Sequence, residues 1–168
     1  MTRQTLPTRR PNADLTPTAW RATFTRRWHA NPDMCHSIDP VGWHSGRMGV
    51  LALHIWGSAA SRDLLAACLC HDLGEHMTGD VAWPAKQDSA LGAALDRIEE
   101  QSLREMGMAY SITPDDLRKL KFLDRLDAYL WVLHVNPGIL NGDGWPEALA
   151  WLEGEWAVLE VVLAEVQP

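Results

Sequence analysis

The chain has 168 residues, of which 46% are hydrophobic and 22% are charged. This is enough for one soluble domain with its own core, without disulfides or a structural metal. The net charge of −7 argues against a nucleic-acid polymer as partner, since binders of long polyanions normally present a dense basic surface. A small phosphorylated ligand needs only a few local cations and is not excluded.

Capping and stop signals predict six helices after a flexible arm at residues 1–15, with the domain spanning 16–168. These helices run from Thr16 to about His29, from near His44 to about Gly57, from Ser61 toward His71, from Asp88 or Ser89 to about Met106, from Thr113 to Asn136, and from Pro146 to about Val166. Residues from about 77 to 87 are expected to form a loop. Because no stretch alternates with period two, the sequence predicts an all-α fold, a single compact helical bundle.

The three cysteines, Cys35, Cys68 and Cys70, lack the spacing of a zinc site, and we expect them to be reduced and mostly buried. Neither a membrane-spanning apolar run nor the apolar stretch of a signal peptide is found, which favours a cytoplasmic protein without a membrane partner. Of the nine tryptophans, we expect at least six to pack in the core or in an oligomer interface. A homo-oligomer is therefore expected.

Ionisable residues follow the apolar segment that begins at Leu64. His71 and Asp72 come directly after it, and Glu75 lies four residues beyond His71. If helical geometry persists through this turn, all three side chains project into one region. A carboxylate that emerges from a core is costly unless a cation or partner compensates it.

Two further helices each place an ionisable group among apolar ones. His44 begins a stripe that continues through Met48, Leu51 and Ile55. Asp124 falls within one arc of its helix, whose other members are Leu117, Leu120 and Trp131. Taken singly, an inward His or Asp is more often a hydrogen-bonded core residue than a metal ligand.

Together, His44, His71, Asp72 and Asp124 supply two imidazoles and two carboxylates from three helices. This mixture suits a divalent ion such as Mn, Co, Zn, Fe or Mg, with positions left for water and a phosphoryl oxygen. The sequence therefore predicts a divalent metal site with these four ligands.

From Arg26 to Trp131 the motifs resemble the HD-domain phosphohydrolase superfamily, whose metal motif is H…HD…D on a helical core. The resemblance is closest to the compact branch of bacterial 5′-deoxynucleotidases and phage deoxynucleoside triphosphohydrolases. It rests on an Arg-Trp pair before the first His, on the run from His-Asp to Gly-Asp and on to Pro and Lys, and on a late Asp: Arg27-Trp28, His71 to Asp80, Pro84, Lys86 and Asp124.

The resemblance implies a role for each of these residues. Glu75 would orient or deprotonate the attacking water, and Asp80 would contact the sugar or help to place that water. Arg27 would clamp phosphate oxygens, and Lys86 would add charge toward further phosphates. Trp28 could line the nucleoside pocket, although a core role is equally compatible with its position.

The implied substrate is a deoxynucleotide. A triphosphohydrolase acting on dATP, as in small phage enzymes, is the leading hypothesis, with Arg26, Arg47 and Lys86 near the polyphosphate tail. A 5′-deoxynucleotidase acting on monophosphates is the alternative, and a non-catalytic nucleotide sensor is a third. The chain departs from the family pattern at Trp43, where Glu commonly precedes the first His, and in the stretch Asn31 to Gly42, which we expect to shape the substrate pocket.

Overall fold

The computed structural model describes residues 18–142 and 144–159. The predicted arm, the predicted first helix start at Thr16 and the predicted end of the last helix near Val166 lie outside these ranges. Within them the regular structure is helical, with no β-strand, which confirms the all-α prediction. The seven α-helices of the described residues are α1 (Thr18–Ala22), α2 (Val41–Trp56), α3 (Arg62–Cys70), α4 (Trp83–Lys86), α5 (Ser89–Met106), α6 (Pro114–Val135) and α7 (Trp145–Val158).

The first predicted helix is wrong in its length. Helix α1 ends at Ala22 rather than near His29. Residues 23–25 form a tight turn, in which each amide donates to the carbonyl three residues back. The carbonyls of Thr23 and Thr25 accept hydrogen bonds from the start of α2, and Arg26 forms an isolated bridge with Pro40. The β-branched side chains of Thr23 and Thr25 also disfavour a continued helix.

The start of α2 and the segment after α3 also differ from the prediction. Helix α2 begins at Val41, three residues before His44. Helix α3 passes directly into a 3₁₀ helix over His71–His76, and the predicted loop at 77–87 contains the short helix α4. The N-caps Ser61, Asp88 and Thr113 are confirmed, since each side chain accepts a backbone N–H hydrogen bond.

The main core lies between α2, α3, α6 and α7. Its buried residues are Met48, Ala52, Leu64, Ala67, Cys68, Leu120, Phe122, Leu123, Leu126 and Leu152. The apolar arc predicted for α6 is partly wrong, because Leu117 is 41% exposed. Since α6 is packed by α2 and α3 and also by α7, its buried surface is wider than one arc and includes Phe122 and Leu126.

Cys68 and Cys70 are buried and free, as expected, whereas Cys35 is exposed. Six tryptophans are partly buried and Trp20 and Trp43 are exposed; the partly buried ones are Trp28, Trp56, Trp131, Trp145, Trp151 and Trp156. No helix in the described part of the chain has the length and apolarity needed to cross a membrane.

Candidate metal centre

The four residues predicted as metal ligands lie together. One ligand atom from each of His44, His71, Asp72 and Asp124 falls within 4.8 Å of the others, so the cluster could hold a metal ion. His44 Nε2 lies 3.2 Å from Asp124 Oδ1 and 3.4 Å from Asp72 Oδ2. His71 Nε2 lies 3.1 Å from Asp72 Oδ1. The four residues that the sequence predicted as ligands from three helices thus meet at one site in the structure.

The tight turn after α3 places Asp72 and Glu75 on the same side of the chain. In a 3₁₀ helix, residues three apart are nearly eclipsed, and these two are three apart. Gly74 lets the turn lie against α5: a Cβ at this position would be 2.6 Å from the carbonyl oxygen of Glu99. The absence of a side chain at Gly74 therefore sets the position of both carboxylates.

Several ring nitrogens in the cluster are buried without a hydrogen bond. They are His44 Nε2 and both Nδ1 and Nε2 of His71. Although the Nε2 atoms lie close to carboxylate oxygens, the contacts lack hydrogen-bond alignment. A buried polar atom without a partner is costly. A cation coordinated by His44 Nε2, by one ring nitrogen of His71 and by the carboxylates would satisfy two of these three atoms, so the residues present fit a divalent metal.

The charges of the cluster favour a cation. Burial and the Arg27 guanidinium both lower the pKa of the His44 imidazole, but the carboxylates of Asp124, Asp127 and Asp72 outweigh them and raise it to about 10. Burial opposes ionisation of Asp72 and Asp124, yet the nearby imidazoles keep the pKa of each below its ordinary range. The two carboxylates therefore stay ionised and attract positive charge, and a divalent cation would compete with the proton of His44 for this site.

Glu75 lies beside the cluster and is 3% exposed. Its burial and the neighbouring Asp72 raise its pKa to about 8, although Lys86 acts in the opposite direction. Lys86 Nζ donates to Glu75 Oε1 over 2.9 Å, whereas Glu75 Oε2 is buried without a hydrogen bond. The structure thus pairs Lys86 with Glu75, an arrangement that the sequence did not predict.

Arg27 lies at the edge of the cluster, with Nη2 3.9 Å from Asp124 Oδ1. Its Nη1 donates to Asp39 over 3.2 Å, and Asp39 is fully buried. The guanidinium is therefore fixed on one side by Asp39, while its other nitrogen faces the carboxylate of Asp124 in the cluster.

Trp28 has a φ of 65°, an uncommon conformation for a bulky residue. Its backbone N–H donates to Asp80 Oδ2 over 2.7 Å, and its indole N–H donates to Asp39 Oδ2 over 3.1 Å. Such strain costs about 1–3 kcal/mol and is concentrated at functional sites. In this structure Asp80 holds the strained backbone.

Trp28 belongs to a group of three aromatic residues. The ring of Trp145, at the start of α7, lies 6.2 Å from that of Trp28 and 6.2 Å from that of Tyr129. All three side chains are partly buried. Nothing in the sequence around Trp145 connected it with Trp28.

Asp39, Arg47 and Asp127 form a buried network beneath these residues. Arg47 Nη2 donates to Asp39 Oδ1 over 2.9 Å, and Arg47 Nε donates to Asp127 Oδ1 over 2.7 Å. No motif of the sequence predicted a role for either aspartate. Asp127 lies three residues after Asp124 on α6, and that spacing is the signal that could have identified it.

Comparisons of the chain with protein-family models, with curated proteins and with solved structures give no match. The geometry of the cluster and the motifs of the sequence are therefore the basis for a function.

Proposed function

We propose that this chain is a metal-dependent phosphohydrolase of the HD-domain type that acts on deoxynucleotides, with dATP as the first substrate to test. The observation that supports the proposal best is the convergence of His44, His71, Asp72 and Asp124 beside a buried carboxylate, Glu75. The four residues would hold the cation. A bound divalent cation supplies Lewis acidity toward water and toward a phosphoryl oxygen.

Glu75 is the proposed general base. Because Oε1 accepts from Lys86, the carboxylate is oriented, and Oε2, which has no hydrogen bond, is available to accept a proton from water. Burial and the neighbouring Asp72 raise the pKa of Glu75 to about 8, so its ionised form is a stronger base than an exposed carboxylate, and a cation in the cluster would favour that ionised form. Proton transfer of this kind typically contributes about 10²–10⁴-fold to a rate.

Arg27 is the proposed phosphate contact. Its position 3.9 Å from Asp124 places a guanidinium next to the metal ligands. A guanidinium there can donate to phosphate oxygens and offset the charge that develops during hydrolysis. Asp39 keeps the guanidinium in place through the second nitrogen.

The aromatic group of Trp28, Tyr129 and Trp145 supports a ligand with an aromatic base. The group adjoins Arg27, whose guanidinium carbon lies 5.2 Å from the centre of the Trp28 ring. Stacking of a nucleobase on aromatic side chains contributes about 1–3 kcal/mol per base. A nucleotide could therefore place its phosphate at Arg27 and its base against these rings.

The triphosphohydrolase and the 5′-deoxynucleotidase differ in the number of phosphates on the substrate. All three cations expected along a polyphosphate tail have protein partners: Arg26 donates to carbonyls of the 31–40 loop, Arg47 binds two buried carboxylates, and Lys86 binds Glu75. This observation favours the alternative activity, a 5′-deoxynucleotidase, unless a triphosphate recruits one of them. Lys86 is the best placed of the three, because it contacts Glu75 and its charge interacts with Asp72 of the cluster.

The test is incubation of the protein with Co²⁺, Mn²⁺, Zn²⁺ or Mg²⁺ and, separately, dATP or dAMP. Chromatography of the nucleoside products and a phosphate assay distinguish the outcomes. Deoxyadenosine and triphosphate from dATP would support the leading proposal, whereas phosphate from dAMP alone would replace it by the nucleotidase. If none of the four dNTPs or dNMPs is hydrolysed with any of these metals, the proposal is wrong.

A further inference from the structure

We propose that Asp127 is a positioning residue that holds the His44 imidazole with Nε2 directed toward the metal. The inference rests on the proposed metal site and concerns a residue to which the sequence motifs assign no role. His44 is fully buried, and Asp127 is 2% exposed. Their contact, from Nδ1 to Oδ2, is 2.7 Å long and joins α2 to α6.

The contact determines which ring nitrogen can bind a metal. A neutral imidazole carries a proton on one nitrogen and a lone pair on the other. Since a carboxylate can only accept, Asp127 holds the proton on His44 Nδ1 and leaves the lone pair on Nε2. That nitrogen is the one that faces Asp72 and Asp124 at 3.4 and 3.2 Å. Carboxylate support of this kind is common behind metal-binding histidines.

Asp127 is itself held rigidly. Arg47 donates from Nε to Oδ1 over 2.7 Å and from Nη2 to Oδ2 over 2.8 Å. A guanidinium that binds both oxygens fixes the plane of the carboxylate. The same arginine donates to Asp39, which orients Arg27, so one network supports both a metal ligand and the proposed phosphate contact.

The position of Asp127 bears on the residue before His44, where the resembled family commonly has Glu. The residue before His44 is Trp43, which is 57% exposed and carries no carboxylate. Support for the imidazole comes instead from α6, the helix that supplies Asp124. Asp124 and Asp127 are three residues apart, and that spacing lets one helix present a ligand and the support of another ligand to the same site.

Asp127→Asn tests the assignment because it keeps the size of the side chain. Oδ2 accepts from both His44 and Arg47, and Oδ1 accepts from Arg47. An amide NH₂ at either place opposes a donor, whichever way the amide is turned. We expect Co²⁺ or Zn²⁺ to bind about 10–100-fold more weakly to this variant by calorimetric titration.

Asp116→Asn is the matched control, since Asp116 is also buried on α6 but accepts from Ser61. Its metal affinity should stay within about twofold of the unsubstituted protein. Circular dichroism and thermal melting of the metal-free proteins check that both variants fold. An Asp127→Asn affinity equal to that of the control would overturn the inference.

A measurement on the unsubstituted protein decides the question if Asp127→Asn does not fold. In the Zn²⁺-loaded protein with ¹⁵N-labelled histidine, long-range ¹H–¹⁵N spectra should show His44 protonated at Nδ1 and bound to metal through Nε2. The opposite assignment would refute the positioning role.

The outcomes separate this inference from the proposed function. If Asp127→Asn weakens metal binding but no nucleotide is hydrolysed, the positioning role of Asp127 is supported and the proposed function is wrong. If nucleotides are hydrolysed but Asp127→Asn does not change metal affinity, the proposed function is supported and the positioning role is wrong. No metal binding by the unsubstituted protein would overturn both.

Discussion

The substitution Asp72→Ala should abolish most of the metal-dependent stabilisation of this protein. Asp72 contributes one of the four ligand atoms that lie within 4.8 Å of one another, and its two oxygens approach the Nε2 atoms of both histidines. No side chain that the structure describes is positioned to replace it, because Glu75 is held by Lys86. Removal therefore leaves His44, His71 and Asp124 without their bridging carboxylate.

The size of the effect follows from mass action. A metal at about 100 times its Kd stabilises the folded state by about 2.7 kcal/mol. For a chain of 168 residues, about 2–4 °C per kcal/mol gives a rise in Tm of roughly 5–11 °C. If the loss of Asp72 weakens binding by about 100-fold, the same metal concentration contributes only about 0.4 kcal/mol, a rise of roughly 1–2 °C.

The assay is thermal melting with and without Co²⁺, Mn²⁺ or Zn²⁺, so that each variant serves as its own reference. Asp63→Ala is the matched control, since Asp63 is an exposed aspartate in the first turn of α3, at the end of that helix away from His71. It should keep the full metal-dependent rise. An equal rise in Asp72→Ala and Asp63→Ala would refute the ligand assignment, and so would the absence of any rise in the unsubstituted protein.

The remaining predictions concern the residues around the cluster. Glu75→Gln should retain the metal-dependent rise in Tm but hydrolyse its substrate about 10²–10⁴-fold more slowly, and a loss of metal binding would contradict its role as base. Because the folded state raises the pKa of Glu75 from 4.5 to about 8, its contribution to the stability of the metal-free protein is fully present below about pH 4.5 and is lost as the pH rises through about 8. Urea unfolding between about pH 4.5 and 6.5, below the range in which His44 titrates, should show this decline, and Glu75→Gln should lack it there. Trp145→Ala should raise the KM for a nucleotide about tenfold with metal affinity unchanged, while Trp20→Ala, an exposed control, should alter neither. Gly74→Ala should lower both stability and metal affinity in titrations, since its Cβ would displace the turn that carries Asp72.

Much of the fold follows from local signals in the sequence. Ser61 and Thr113 were predicted as N-caps, as was either Asp88 or Ser89, and Ser61, Asp88 and Thr113 each make the expected hydrogen bond. Capping depends on residues within one turn, so it can be inferred without tertiary structure. The first helix was predicted too long because its end is set by pairing with the start of α2, a contact between segments separated in the sequence.

The sequence by itself determined the all-α class and identified the four residues that meet in the cluster. His44 and Asp124 could be inferred because an ionisable group within an apolar stripe must find a partner in the core. Only the tertiary structure decided the pairing of Lys86 with Glu75, the support of His44 by Asp127 and the approach of Trp145 to Trp28. The physical reason is that periodicity shows which face of a helix is buried, whereas the partner of a buried group depends on how distant helices pack.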